Sequence, residues 1–296
     1  MASGTWYHRR GARSDHAILL TGAVIVAVVL LVALFSPLLA PYGPETSSPY
    51  VSQPPPSLRE VPVLLWQSLT GQLVRPVHWF GTDNAGLDIF SRVLAAPRTD
   101  LLIAVLSNAF AVTAGTIIGL LCGFFGGRVA ELVMRVSDVV QSFPILISGM
   151  ILVALAGRNA GNIIITLGLL YTPVYLRLAR IEVMSHRRRG FVEASRAVGL
   201  SESAIAVRHV LPNSLAPLLI QLSVMIGFAI LMTAGLSFVG AGVRPPTPEL
   251  GLMIANGVEG LSQGDWWPSV FPGFAISITV FGFAALGNGL ERLHAA

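Results

Sequence analysis

The sequence predicts an all-α integral membrane protein with six transmembrane helices, on three observations. Of its 296 residues, 53% are hydrophobic and only 11% are charged, against about 25% charged in soluble domains. Mean hydropathy is +0.71. The apolar residues also gather into long runs, and a bilayer core about 30 Å thick needs roughly 20 of them in helix. The lone Cys122 argues against a disulfide scaffold. All 19 basic residues are arginine. They are scattered between apolar runs, so they bear on membrane orientation more than on nucleic acid.

The first span is Ala17–Leu39, free of charge. Arg9, Arg10 and Arg13 precede it as they would in a signal peptide, but signal h-regions run about 7–15 residues. This run is longer and ends at Pro37 and Pro41 without a small-residue cleavage pattern, which predicts an uncleaved span. The second is Leu101–Phe125. The third, about Leu132–Ala156, contains Asp138 and Pro144, and the fourth, Ala160–Leu176, contains Pro173. The fifth is Ala216–Phe238 and the sixth about Val270–Leu290.

Arginine asymmetry predicts both termini inside. Cytoplasmic segments then hold Arg9, Arg10, Arg13, Arg128, Arg135, Arg177, Arg180, Arg187, Arg188, Arg189, Arg196, Arg208 and Arg292. The outside keeps Arg59, Arg75, Arg92, Arg98, Arg158 and Arg244, mostly in the long first loop. Trp266 and Trp267 suit the outer interfacial belt. The chain divides into residues 1–40 (N-terminus and first span), an extracytoplasmic loop 41–99, and a core 100–291 with a cytoplasmic loop at 183–214.

Outside the spans, Pro54-Pro55-Pro56 favours extended backbone, and Val63–Leu69 reads as a short surface or interfacial helix. Gly81-Thr82-Asp83-Asn84-Ala85-Gly86-Leu87-Asp88 marks tight turns whose side-chain oxygens can cap the following helix. It is either a capped loop or a loop touching substrate or its carrier. Pro245–Glu249 stiffens the last loop, with Leu250–Val258 as a short amphipathic helix. That helix is either a packed cap over the spans or part of an external gate.

The segment between spans four and five carries the most information. Phe191–Val198 forms a helix closed by Gly199, where a left-handed cap is wanted. Ser201 caps a second helix, Glu202–Leu211, which Pro212 is expected to stop. The tether to two spans argues against a DNA-binding helix-turn-helix. Phe191, Val192, Ile205, Val207, Val210 and Leu211 are too apolar for a merely solvated basic loop. The pair reads as a compact docking knob.

Three motifs then resemble one family. Glu193-Ala194-Ser195-x-x-x-Gly199 followed by His209-x-Leu211-Pro212-Asn213 resembles the EAA loop of importer-type ABC permeases, with Ser195 for Ala. Gly81-Thr82-Asp83-x-x-Gly86-x-Asp88 resembles the GTDxxGRD segment of dipeptide and oligopeptide "C" permeases, with Leu87 for Arg. Leu236–Glu249 is similar to their LSFLGLGVxPPTPEWG run, with Leu250 for Trp; Asn288 stands where they have Asp.

The resemblance implies a type I ABC importer permease fold with cytoplasmic EAA coupling helices, in the inner (plasma) membrane. It implies a second homologous permease, two cytoplasmic ABC ATPases and an extracytoplasmic substrate-binding lipoprotein as partners. It also implies no nucleic acid, no cofactor on this chain, and ATP with Mg in the ATPases. Glu193, Ala194, Ser195, Arg196, Gly199, His209, Leu211 and Pro212 would then dock the ATPases. Gly81, Thr82, Asp83, Gly86 and Asp88 would form the extracytoplasmic motif or gate. Di- or oligopeptides are the expected cargo, with nickel or glutathione as alternatives.

Polar residues within spans are candidate functional groups because lipid burial is costly. Asn108, Gln141 and Gln221 either line the path or bond between helices, and Asn162 is a further polar residue. Asp138 is expected to pair with nearby Arg135. Gly115, Gly119 and Gly123 favour close helix packing. The alternative of another class, an ATP-independent secondary transporter, would need ion-coupling groups in its spans and usually internal repeats; the sequence has almost no ionisable residue in its spans and no visible repeat. No nucleophile, base or metal-ligand set supports an intramembrane enzyme, and no phosphate-binding glycine-lysine loop is present.

Overall fold

The computed structural model describes residues 4–71 and 76–295, and the side chains of 16–71 and 76–294. Arg75, and the side chains of Arg9, Arg10 and Arg13, lie outside the described residues. Eleven α-helices occur among them: α1 (Gly4–Leu39), α2 (Val61–Thr70), α3 (Ile89–Phe124), α4 (Gly127–Ser142), α5 (Ile145–Ala156), α6 (Ala160–Arg187), α7 (Gly190–Ala197), α8 (Glu202–Ile205), α9 (Leu211–Phe238), α10 (Leu250–Val258) and α11 (Trp267–Ala295).

Five of the helices are long and apolar enough to cross a membrane alone: α1, α3, α6, α9 with its α8 lead-in, and α11. A sixth span is reached only if a bent pair of helices counts as one. α4 and α5 meet at 91° across Phe143 and Pro144, so the third predicted span is two helices and not one rod. A proline cannot continue a helix without losing a hydrogen bond and pressing on the preceding turn. The other spans are present but longer than their apolar runs. α3 begins at Ile89 and at 36 residues is about 54 Å long, so it outruns the hydrocarbon layer.

The bundle is built around α3 and α6. The glycine stripe of α3 lies on α6, where a Cβ on Gly115 would stand 2.6 Å from Tyr175 Cβ and one on Gly119 would stand 2.6 Å from Ala179 Cβ. Only a residue without a side chain lets the two backbones come this close. The central core joins Ile103, Ala104 and Ala111 of α3, Ile163, Leu167 and Tyr171 of α6, and Leu218 and Ala229 of α9. α1 packs at the edge against α11, leaving Leu20, Val24, Leu34 and Leu38 exposed for lipid.

α10 has the predicted ends, and it is a packed cap. Leu250, Leu252 and Met253 are buried, and it leans on α9, α11 and α3. α2 stands apart with no buried residue.

Candidate functional site

Two constellations carry the sequence motifs, one at each end of the bundle. The first is the knob of α7 and α8. α7 begins at Gly190 and ends at Ala197; Val198 N–H then donates to Ala194 O (3.2 Å) and Gly199 N–H to Arg196 O (2.9 Å). Gly199 has φ +85°, a left-handed backbone that side chains oppose by about 1–2 kcal/mol. Ser201 Oγ then accepts from Ala204 N–H (3.4 Å), capping α8 as predicted. Across the turn Arg196 donates to both carboxylate oxygens of Glu202, at 2.6 and 3.0 Å. Both side chains are exposed, so this fork orients the two helices more than it stabilises the fold.

Apolar side chains root the knob. Val192, Ile205 and Val210 are fully buried against Leu120 and Phe124 of α3 and Val183 of α6. Full burial of such a side chain contributes about 1.5–3 kcal/mol. Phe191 and Leu211 are half-buried against the same cluster. Val207 is exposed instead, and Val198 is 78% exposed. Glu193, Ala194 and Arg196 are exposed, Ser195 is half-buried, and Ser195 Oγ donates to Phe191 O (2.8 Å). Glu193 also borders a cleft with Arg180, Arg187 and Arg188.

Pro212 does not stop the second helix, contrary to the sequence reading. α8 opens into a π-helical turn, Ala206–Val210, and the chain runs on as α9. Leu211 N–H reaches back to Ala206 O, one residue beyond the α-helical partner. Pro212 sits in the first turn of α9, where a missing N–H is tolerated. The wider turn makes room for the proline ring beside the Arg208 carbonyl. Asn213 Nδ2 donates to His209 O (2.6 Å). The knob is therefore one covalent piece with the α9 span.

The second constellation is Gly81–Asp88. Thr82 Oγ1 donates to Tyr50 O (2.6 Å) and accepts from Gln53 N–H (2.9 Å). Asp83 Oδ1 accepts from the N–H groups of Ala85 (2.9 Å) and Leu87 (2.8 Å). Asp88 caps α3, accepting from Ser91 N–H (2.8 Å), and its other oxygen meets His78 Nδ1 at 2.7 Å. Gly81 and Gly86 have φ +76° and +74°. Trp267 is buried, donating Nε1–H to Thr82 O (3.0 Å), while Trp266 is exposed. Of the two tryptophans predicted for the outer belt, Trp266 is exposed as expected and Trp267 instead packs on this Gly81–Asp88 bracket.

The candidate path residues are dispersed. Asn108 is fully buried, donating to Ala104 O (2.9 Å) and Met225 O (3.2 Å) and accepting from Tyr175 O–H (2.8 Å). It bonds α3, α6 and α9 together and does not face open space. Gln141 and Gln221 are half-buried. Asn162 Nδ2 donates to Ala156 O (2.6 Å) and Gly157 O (2.9 Å), closing the end of α5. Asp138 pairs with Arg177 of α6 (2.7 Å), not with Arg135. Arg177 comes from a different helix, and nothing local in the sequence pointed to it.

Sequence reasoning also missed buried Arg92, whose guanidinium donates to Pro44 O (2.9 Å) and Pro246 O (3.0 Å), tying the first loop to the last. An arginine just inside a predicted helix start was the available signal. Among the described residues, no group of three His, Cys, Asp or Glu side chains is placed to hold a metal ion.

Comparison with known proteins fits this architecture. Residues 115–295 match the family described as binding-protein-dependent transport system inner membrane component. Residues 15–55 match the N-terminal TM domain of oligopeptide transport permease C. A probable D,D-dipeptide transport system permease protein of Escherichia coli (strain K12) is 37% identical over 275 residues, covering 92% of this chain and 85% of that one. A dipeptide transport system permease protein of Alkalihalophilus pseudofirmus is 33% identical over 290 residues, covering 98% and 89%. A glutathione transport system permease protein of Escherichia coli O157:H7 is 34% identical over 285 residues, covering 96% and 88%. Proteins of this kind are multi-pass inner-membrane transport components that work with ATPase and substrate-binding partners and are not themselves catalysts. With its five spans and the bent α4–α5 pair, its knob and these matches, the chain belongs to the binding-protein-dependent transport system inner membrane component family.

Proposed function

We propose that this chain is one half of the translocation path of an ATP-driven importer for di- and oligopeptides, paired with a second homologous permease. In this reading an extracytoplasmic lipoprotein delivers the peptide and two cytoplasmic ATPases dock on α7 and α8. ATP and Mg bind in those ATPases, and this chain holds neither. Residues 100–291 form the permease core, 183–214 the coupling loop and 41–99 the extracytoplasmic loop. Arg177, Arg180, Arg187, Arg188, Arg189, Arg196 and Arg208 cluster at the knob end, which supports a cytoplasmic knob and cytoplasmic termini.

The observation that carries the reading is the form of the knob. Its outer face offers Val198 and Val207 to a partner, while its inner face is rooted in α3 and α6 and it runs unbroken into α9. A force on this face shifts a membrane span as a rigid body. The peptide cargo rests on the relatives named for dipeptide transport.

The test is dipeptide uptake into vesicles holding the assembled importer. Uptake is expected to require ATP and the binding protein. In Gly199→Pro it is expected to fall to background, because proline cannot adopt φ +85°. Uptake without ATP would point to a secondary transporter. Uptake of glutathione and not of dipeptides would move the cargo to that of the glutathione relatives.

A further inference from the structure

At the loop end, two acidic residues 149 positions apart in sequence meet away from solvent. Asp100 of α3 is 3% exposed and Glu249, at the N-terminus of α10, is fully buried. Glu249 accepts from the N–H groups of Gly251 (2.9 Å) and Leu252 (2.7 Å) with its two oxygens, capping α10. Asp100 Oδ2 accepts from Leu250 N–H (3.4 Å), and its Oδ1 receives no N–H or O–H donor from the described residues. The two carboxyl groups therefore converge on three successive N–H groups, those of Leu250, Gly251 and Leu252, at the start of α10.

Two ionised carboxylates cannot share a dry site at contact distance, because neither has a proton to donate and their charges repel. A cation would relieve the repulsion, but among the described residues no basic side chain forms an ion pair with either group. Arg92, on the same helix, is held by the carbonyls of Pro44 and Pro246. Arg158 donates to Gly242 O (3.5 Å), and Arg244, in the loop before α10, is in no ion pair with either carboxyl. Within α9 there is no titratable residue, and those of α11 lie at its far end, at Glu291, Arg292 and His294. The Ser237 hydroxyl of α9 lies beside Glu249, but it is neutral.

We propose that Asp100 and Glu249 hold a single proton between them, and that this proton latches α10 and the Pro245–Glu249 loop onto α3. Asp100 is the donor, because both Glu249 oxygens are already committed to backbone N–H groups. Burial pushes the Glu249 carboxyl above the usual carboxylate range. The folded state therefore holds a proton that the unfolded chain gives up. The stability linked to this uptake is fully present at pH below the ordinary glutamate range of about 4.3. It falls as pH rises and is gone once the pair has lost its last proton, when two carboxylates face each other and repel. α10 packs on α3, α9 and α11, so the proton links outside acidity to the closure of this end of the bundle. The inference concerns protonation alone and stands whatever the cargo.

Infrared difference spectroscopy on the full-length chain, purified with the subunits it recruits and held in lipid nanodiscs, tests it. At neutral pH a protonated carboxyl C=O stretch is expected, sensitive to D2O and lost as pH is raised. Asp100→Asn should remove that band, because Glu249 then ionises against its two backbone donors and a neutral amide. Between the ordinary glutamate range and the raised value, the wild-type folding constant should fall by up to about tenfold per pH unit, as for one proton. Asp100→Asn should flatten that slope. Should Asp100→Asn fail to fold, loss of the wild-type band in Glu249→Gln supports the shared proton. Absence of a protonated-carboxyl band at neutral pH in the wild type would overturn it. So would a band that survives both substitutions.

Discussion

The bracket Gly81–Asp88 and the knob α7–α8 use the same local chemistry and direct it oppositely. Each turns on a glycine with positive φ, and each caps a helix with an Asp or Ser side chain. In the bracket Thr82, Asp83 and Asp88 are buried, and their hydrogen bonds are made to the protein itself. A Cβ on Gly81 would stand 2.4 Å from Gln53 O, whereas one on Gly199 would meet nothing within 4 Å. Gly81 answers both a backbone angle and a lack of space. Gly199 answers the angle alone and leaves its surroundings open. The difference separates a motif that holds its own fold from one that presents a surface.

Substitutions can break or sharpen that contrast. The largest effect on stability is expected from Gly81→Val, which meets a fixed carbonyl and a disfavoured φ together. It should lower stability by about 3 kcal/mol or more, read as a lower melting point and lower yield of folded chain. Asp88→Ala comes next. It removes a cap, worth about 1 kcal/mol, and leaves buried His78 without its partner, for a total of about 2–3 kcal/mol. Glu193→Lys should be smallest in stability, with an unchanged melting point, because the side chain is exposed. It should nevertheless reduce ATP-dependent uptake several-fold. A bracket variant that melts normally yet fails to transport would dissolve the contrast.

What the sequence made legible was local. The ends of α10, the cap at Ser201 and the glycine stripe of α3 are set by neighbours within one or two helical turns. What it left hidden was set by distant partners. Counting apolar residues could not show the 91° bend at Phe143 and Pro144, since hydropathy is blind to direction. Pro212 read as a stop because the proline rule assumes α geometry, and the π turn before it lifts that assumption. Asp138 with Arg177, Asn108 with Tyr175, and Asp100 with Glu249 join residues far apart in the chain. No periodicity encodes such pairs.

On this reading the outward face of the knob is where the ATPases bind. Affinity purification of the tagged chain from gently solubilised membranes, comparing wild type with Val198→Asp, tests it most directly. Val198 is 78% exposed and contributes nothing to the core, so the variant should fold and still bring the second permease with it. The wild type should recover two ATPases, and the variant should lose most of them. Equal recovery of the ATPases by both would contradict the claim and place their docking surface elsewhere.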